Sequence, residues 1–269
     1  MGLRFLLPAA FLGALVFAQS ASVEFNTLDR AVIEGRLGRA AGSNAEHKAR
    51  LQELLGEVGC TGEHFREQKV SGSRLPNLVC TMPGQNHAVI IVGAHYDAVD
   101  LGKGAVDNWS GASLLPSLVE SLGTVPRRHT FVFVGFSGEE RGLAGSDSYV
   151  RELTREEKSR TRAMVNLDCL GLSPTKVWVN GSNRKLTAML AGVAKAMKLP
   201  LEGANVDTDD SQSFARRKIP SISIHSLTQE TLRILHSVRD NLDAIRGGDY
   251  YDTYRLVAAY LASLDTALE

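Results

Sequence analysis

Two adjacent carboxylates, Glu139 and Glu140, follow the apolar run Phe131-Val132-Phe133-Val134-Gly135-Phe136 through a Ser137-Gly138 turn. A buried strand that ends in such a turn projects both acids from its mouth. There one acid can hold a cation while its neighbour moves a proton. Similar residues follow the other apolar runs. His95-Tyr96-Asp97 follows 90–94, Asp168 follows 163–167, His225 follows 219–224, and His236 lies a loop further on. Asp107 lies in Lys103-Gly104-Ala105-Val106-Asp107-Asn108-Trp109-Ser110-Gly111, a Gly-rich turn that opens a helix. Imidazole nitrogen and carboxylate oxygen are the donors zinc accepts where thiolates are absent. Singly, each residue says little: a strand-end His is more often packed than ligating, and an Asp in a Gly-rich turn more often shapes the turn or caps the helix. Their concurrence on one edge gives the pattern its weight.

The elements that must position these residues are legible in the apolar periodicity. Helices are expected at 26–39 and 44–58, the second capped by Ser43 and packing Leu51, Leu54, Leu55 and Val58 on one face. Segments 63–70 and 77–82 read as strands of a hairpin. The near-continuous apolar run 88–94 suits a strand buried on both faces. Helix 110–122, strand 130–136, helices 143–153 and 155–160, strands 163–167 and 176–179, helix 184–197, strand 219–224 and helix 250–264 then follow. This alternation predicts an α/β fold with a largely parallel sheet covered on both faces. In such sheets the working crevice lies beyond the strand C-termini, where the His and carboxylates gather. No repeat or long linker divides the chain.

Composition narrows the function classes. The chain has 269 residues, and its 30 Lys plus Arg balance 30 Asp plus Glu. A long-range field drawing it onto nucleic acid or an anionic membrane is therefore not expected. Residues 1–18 carry one early positive charge, a 14-residue, almost wholly apolar stretch, and Val16-Phe17-Ala18 before polar Gln19-Ser20. That layout predicts a secretory signal, leaving 19–269 as the folded domain. The protein is then exported to periplasm or medium, with no membrane attachment after cleavage. Export permits disulfides, and Cys60 and Cys80 could pair, whereas Cys169 reads as a small core residue. No Cys-x-x-Cys occurs, so a thiolate metal site is not supported.

Five motifs in order carry a resemblance. His95-Tyr96-Asp97, Asp107-Asn108 with Ser110-Gly111, Gly138-Glu139-Glu140 with Gly142-Leu143 and Gly145-Ser146, Asn166-Leu167-Asp168, and His236 with Asp240 together resemble the M28 family of co-catalytic zinc peptidases, mostly aminopeptidases. The spacings fit as well, with twelve residues from His95 to Asp107 and twenty-eight from Glu140 to Asp168. The likeness covers roughly 77–245 and implies a three-layer sandwich with a mixed, mostly parallel sheet of about eight strands between helices. It further implies two zinc ions per chain, bridged by Asp107, with His95 and Asp168 completing one site and Glu140 and His236 the other. Glu139 would be the general base. Asp97 would accept a hydrogen bond from His95 and fix its tautomer, and Asp240 would do the same for His236. A cis peptide is implied at Asp107-Asn108. The implied substrates are peptides with a free N-terminus.

The sequence also departs from the family. Leu235 stands where a Tyr often precedes the final His and aids the oxyanion, so that donor is unassigned. Asp209-Asp210-Ser211 replaces a common Ser-Asp-His, and this segment reads either as a substrate contact or as a helix-capping loop. His47, His64, His87 and His129 read as surface residues, and Arg216, Arg217 and Lys218 as a solvated face. A glutaminyl cyclase-like cyclotransferase shares the architecture and is the alternative reaction. A non-catalytic binding ectodomain is the alternative without one.

Overall fold

A computed structural model describes residues 25–40 and 42–269, so the expected signal segment lies outside the described residues. Among the described residues eight strands form one sheet: β1 (Phe65–Gln68), β2 (Asn77–Met82), β3 (Val89–His95), β4 (Thr130–Phe136), β5 (Thr161–Leu167), β6 (Lys176–Trp178), β7 (Glu202–Ala204) and β8 (Ser221–His225). Their order is β1-β2-β4-β3-β5-β8-β6-β7. The centre, β4-β3-β5-β8, is parallel throughout. The β1-β2 hairpin joins it antiparallel through β4, and β6, antiparallel to β8, carries a parallel β7 at the far edge. The expected mixed, mostly parallel sandwich is therefore the observed fold.

The helices are α1 (Arg30–Leu37), α2 (Asn44–Glu57), α3 (Ser110–Ala112), α4 (Leu114–Gly123), α5 (Ala144–Glu152), α6 (Arg155–Arg160), α7 (Arg184–Met197), α8 (Ser211–Ala215) and α9 (Gly247–Ala267). Strand alternation sorts the core into two layers. Ile90, Val92, Phe131, Phe133, Val165, Leu167, Ile222 and Ile224 face α1, α2, α4, α7 and α9. Ile91, Val132, Val134, Phe136 and Met164 face Tyr149 and Val150 of α5 and Phe214 of α8. Strands buried on both sides explain why β3, β4 and β5 read as continuous apolar runs.

Several expectations shift. The helix expected at 26–39 starts at Arg30, because Asp29 is extended. The one expected at 110–122 divides at Ser113, with Pro116 in the first turn of α4, where its missing N–H costs no helical bond. The short β7 and α8 escaped periodicity, which needs longer segments to register. Ser43 caps α2 by accepting from the Glu46 N–H at 3.3 Å. Cys60 and Cys80 form a disulfide beside the hairpin. Two of the four histidines expected at the surface are core residues. His47 is 1% exposed, bonds the Tyr96 carbonyl through Nδ1 at 2.9 Å and stacks on Trp109. His129 is fully buried with Nδ1 3.1 Å from Asp265 Oδ1. Both bury a ring whose polar atom finds a partner from a distant element, a pairing that local sequence does not encode.

Candidate metal centre

The C-terminal ends of β3, β4, β5 and β8 open into one cleft of about 720 Å³. His95 closes β3, Glu139 and Glu140 follow β4, and Asp168 follows β5. Asp107 arrives on the turn between β3 and α3, and His236 on the long segment after β8. Their donor atoms form two groups, His95 with Asp107 and Asp168, and Asp107 with Glu140 and His236, each with its atoms within 4.8 Å of one another. Asp107 belongs to both. Its Oδ1 lies 3.2 Å from His95 Nε2 and its Oδ2 3.3 Å from His236 Nε2. Asp168 Oδ1 is 3.6 Å from the former nitrogen, and Glu140 Oε2 is 3.0 Å from the latter.

Local structure explains how Asp107 comes to face both ways. The Asp107-Asn108 peptide is cis. The Asn108 amide donates to the Leu167 carbonyl at 2.8 Å, while its Oδ1 accepts from the N–H groups of Gly111 (2.9 Å) and Cys169 (3.1 Å). Ser110 Oγ accepts from Leu170 N at 2.8 Å. The turn bearing Asp107 is thus bolted to the end of β5, where Asp168 sits. Gly111 is required by space, since a Cβ there would lie 2.5 Å from the Leu167 carbonyl oxygen. The Asp-Asn-x-Ser-Gly motif is a set of fasteners around one carboxylate.

Two positioning roles differ from expectation. His95 Nδ1 meets the backbone carbonyl of Asp97 at 3.0 Å, and the Asp97 carboxylate is farther, at 3.8 Å. That carboxylate instead accepts from the N–H groups of Glu139 (3.1 Å) and Glu140 (3.4 Å), fixing the turn that presents both acids. Asp240 does not orient His236. It is buried, and its Oδ1 accepts from the Val106 N–H at 2.7 Å. Its carbonyl accepts from Lys103 N at 2.9 Å. Both changes of partner have the same reason: a backbone N–H turned away from water must find an acceptor, and a nearby carboxylate supplies the strongest one.

The electrostatics set these groups apart from surface residues. With protein charges alone, burial pushes Glu139 up to about 9, against the attraction of His95. Burial and the Asp107 carboxylate push Glu140 up to about 7. His236 rises to about 9, led by its hydrogen bond to Asp107. Burial opposes a charged His95, yet Asp107 and Asp168 raise it well above the usual range. Burial also opposes a charged Asp107, but the two imidazoles hold it below the usual carboxylate range. Glu140 Oε1 and Asp168 Oδ1 are buried with no partner at hydrogen-bond distance among the described residues. Five acidic and imidazole side chains, two buried oxygens short of a hydrogen bond and a carboxylate facing both ways fit a pair of cations, and a His/carboxylate donor set without thiolate suits zinc.

The cleft wall holds residues that the motif reading missed or left open. Val206, Asp209, Ser223, Leu227, Leu232 and Leu235 line it, with His225. His225 is 1% exposed, and burial drives it down to about 4 against the Asp168 carboxylate and the Ala204 carbonyl. Asp209 Oδ1 accepts from Ser211 N at 2.8 Å at the start of α8, and the residue also lines the cleft. Ser223 was findable: it lies two residues before His225, on the same face of β8.

Comparison with known proteins agrees with this geometry. The sequence model of peptidase family M28 matches residues 77–261. Aminopeptidase YwaD of Bacillus subtilis (strain 168) is 40% identical over 85 residues, 32% of this chain and 19% of that protein, so the match spans a minor part of the relative. Among solved structures, BSAP, a zinc aminopeptidase from Bacillus subtilis, aligns with TM-score 0.66 and 25% identity over 72% of this chain and 50% of its own. An Acidobacteriales bacterium glutaminyl cyclase aligns with TM-score 0.77 over 93% of this chain and 98% of its own. Its identity is 20%, a likeness of fold.

Proposed function

The chain belongs to peptidase family M28, and from that premise we propose that it is an exported zinc-dependent aminopeptidase hydrolysing N-terminal peptide bonds. The observation that carries this reading is Asp107, whose two oxygens each face the imidazole of a separate three-residue group. His95, Asp107 and Asp168 would hold one zinc ion, and Asp107, Glu140 and His236 the other. When bound, the ions supply Lewis acidity toward a peptide carbonyl and make water acidic enough to yield a nucleophile near neutral pH. Asp107, common to both groups, would set one negative charge between the two cations.

Glu139 is kept out of both groups, although it adjoins Glu140 in sequence. We assign it the general base: it takes a proton from the attacking water and returns it to the leaving amine. Asp97 fixes this arrangement twice, through its carbonyl on His95 and its carboxylate on the Glu139 and Glu140 amides. The substrates are peptides with a free N-terminus, whose ammonium is favoured by the surplus of carboxylates lining the cleft. Export is supported by the signal-like residues 1–18 and by the Cys60–Cys80 disulfide, which suits an oxidising compartment. Among the described residues no helix is long and apolar enough to cross a membrane.

The test is turnover of a panel of aminoacyl p-nitroanilides by purified protein, with and without chelator and added zinc. Zinc-restored release from at least one member is expected; no release from zinc-loaded protein refutes the reading. Glutaminyl cyclisation is a second reading, favoured by the near end-to-end alignment with a cyclase fold. A Gln-leading peptide separates the two by mass: hydrolysis shortens it by one residue, whereas cyclisation removes only ammonia.

A further inference from the structure

The cleft extends past the two metal-binding groups to a patch that neither group uses. Asp168 N donates to the Ile224 carbonyl at 3.0 Å, which sets His225 directly beside Asp168 at the sheet edge. Ser223 and His225 share one face of β8, and Asp209 from the segment before α8 lies over Ser223. All three side chains line the cleft, and each is 1% exposed or less. Ser223 faces the Asp209 carboxylate and His225 faces the Ala204 carbonyl, yet none of Ser223 Oγ, Asp209 Oδ2 and His225 Nε2 reaches a partner at hydrogen-bond distance among the described residues. Three buried polar atoms in one patch, each short of a full hydrogen bond, are far from the usual outcome of folding.

The chemistry of the patch is specific. The Leu227 N–H donates to His225 Nδ1 at 3.1 Å, so that nitrogen carries the lone pair and the neutral ring bears its hydrogen on Nε2. His225 therefore offers a donor. Asp209 uses Oδ1 on Ser211 and offers Oδ2 as an acceptor. Ser223 Oγ can serve as either. Val206, Leu227, Leu232 and Leu235 supply aliphatic wall to the same cleft.

We propose, resting on the aminopeptidase reading, that Ser223, His225 and Asp209 form the floor of the pocket for the substrate's N-terminal side chain and select a carboxamide, Asn or Gln. The carboxamide oxygen accepts from His225 and its NH₂ donates to Asp209, with its methylenes against the aliphatic wall. A carboxylate side chain would set like charge against Asp209. An ammonium would pair with Asp209 but set a second donor against the His225 N–H, leaving that donor unanswered. A purely aliphatic side chain would leave the floor unpaired, a loss that sites built for hydrogen bonding register strongly.

The experiment compares Asn-, Gln-, Leu-, Met-, Glu- and Lys-leading peptides on zinc-loaded wild type, His225→Leu and Ser223→Ala, following the released amino acid. In parallel, calorimetry titrates asparaginamide, glutaminamide and leucinamide into the same proteins. Wild type is expected to favour Asn and Gln in kcat/KM and in amide binding. Each variant should shift the Asn-to-Leu ratio toward Leu by at least about tenfold, mainly through KM. Using both variants guards against one failing to fold. Efficient release of Leu or Met with Asn and Gln no better overturns the pocket assignment and leaves the aminopeptidase reading standing. So does a ratio unchanged in both variants, or a preference that follows the second residue of the peptide. Absence of release from every peptide overturns the reading itself, and equal binding of the three amides then overturns the pocket independently.

Discussion

Glu139 sits in surroundings unlike those of a surface carboxylate, because burial holds its proton up to about 9 when only protein charges act. Cations beside it would reverse that preference, releasing the carboxylate for proton abstraction. Glu139→Gln should therefore retain fold and zinc content while turnover falls about 10²- to 10⁴-fold, read as kcat alongside metal analysis. Near-wild-type kcat would contradict the base assignment. The pH dependence follows with its sign. Glu139, ordinarily at 4.5, and His236, ordinarily at 6.5, both bind protons more tightly in the folded protein, each to about 9. Their contribution to stability is lost as pH rises through those windows. Chelated protein should melt at progressively lower temperature from pH 6.5 to 9, whereas zinc-loaded protein should not follow it. Zinc affinity should rise over the same window, with protons released on binding, measurable by calorimetry in buffers of different ionisation enthalpy.

At the scale of elements, the site depends on two loops reaching the sheet edge together. Asp240 ties them: its carboxylate holds the Val106 amide and its carbonyl holds Lys103, so the segment bearing His236 is fastened to the turn bearing Asp107. Gly102, at φ 95°, allows the close approach, since a Cβ there would fall 2.5 Å from the Ser237 carbonyl oxygen. Removing the carboxylate with Asp240→Ala leaves a buried N–H unpaired, a cost of about 1–3 kcal/mol. The expected result is weaker retention of zinc, scored by metal stoichiometry after dialysis, with Asp240→Asn milder because its amide oxygen still accepts. Zinc retained at the wild-type level, or a loss accompanied by a collapsed melting transition, would contradict this positioning role. The Cys60–Cys80 disulfide acts on another pair of elements, joining the segment after α2 to β2 across 20 residues. Cys60→Ser with Cys80→Ser should lower unfolding stability by about 2–4 kcal/mol in urea titration.

For the whole molecule, the parallel centre β4-β3-β5-β8 is the platform on which the site rests. Its strands are buried on both faces, so their carboxyl ends are fixed by two layers of packing at once. Loops can then carry the chemistry while the frame stays rigid. Zinc bound to the folded state should stabilise it further, by about 4 kcal/mol at a thousandfold excess over Kd. Thermal melts at several zinc concentrations, with a rising midpoint expected, check this linkage.

The residues at the strand ends, their order and the α/β alternation were legible in the sequence, because each follows from local patterning. Apolar runs mark doubly buried strands, and the ends of parallel strands collect functional groups on one edge. His95, Asp107, Glu139, Glu140, Asp168 and His236 could thus be gathered before any coordinates. What only the tertiary structure decided concerns partners drawn from distant elements. The Asp97 carboxylate serves two backbone amides rather than His95, Asp240 serves the Asp107 turn rather than His236, and His47 and His129 are core residues. The polar floor of Asp209, Ser223 and His225 likewise exists only because the segment before α8 folds over β8. Such pairings depend on which buried donor meets which acceptor in space, and linear order does not specify that.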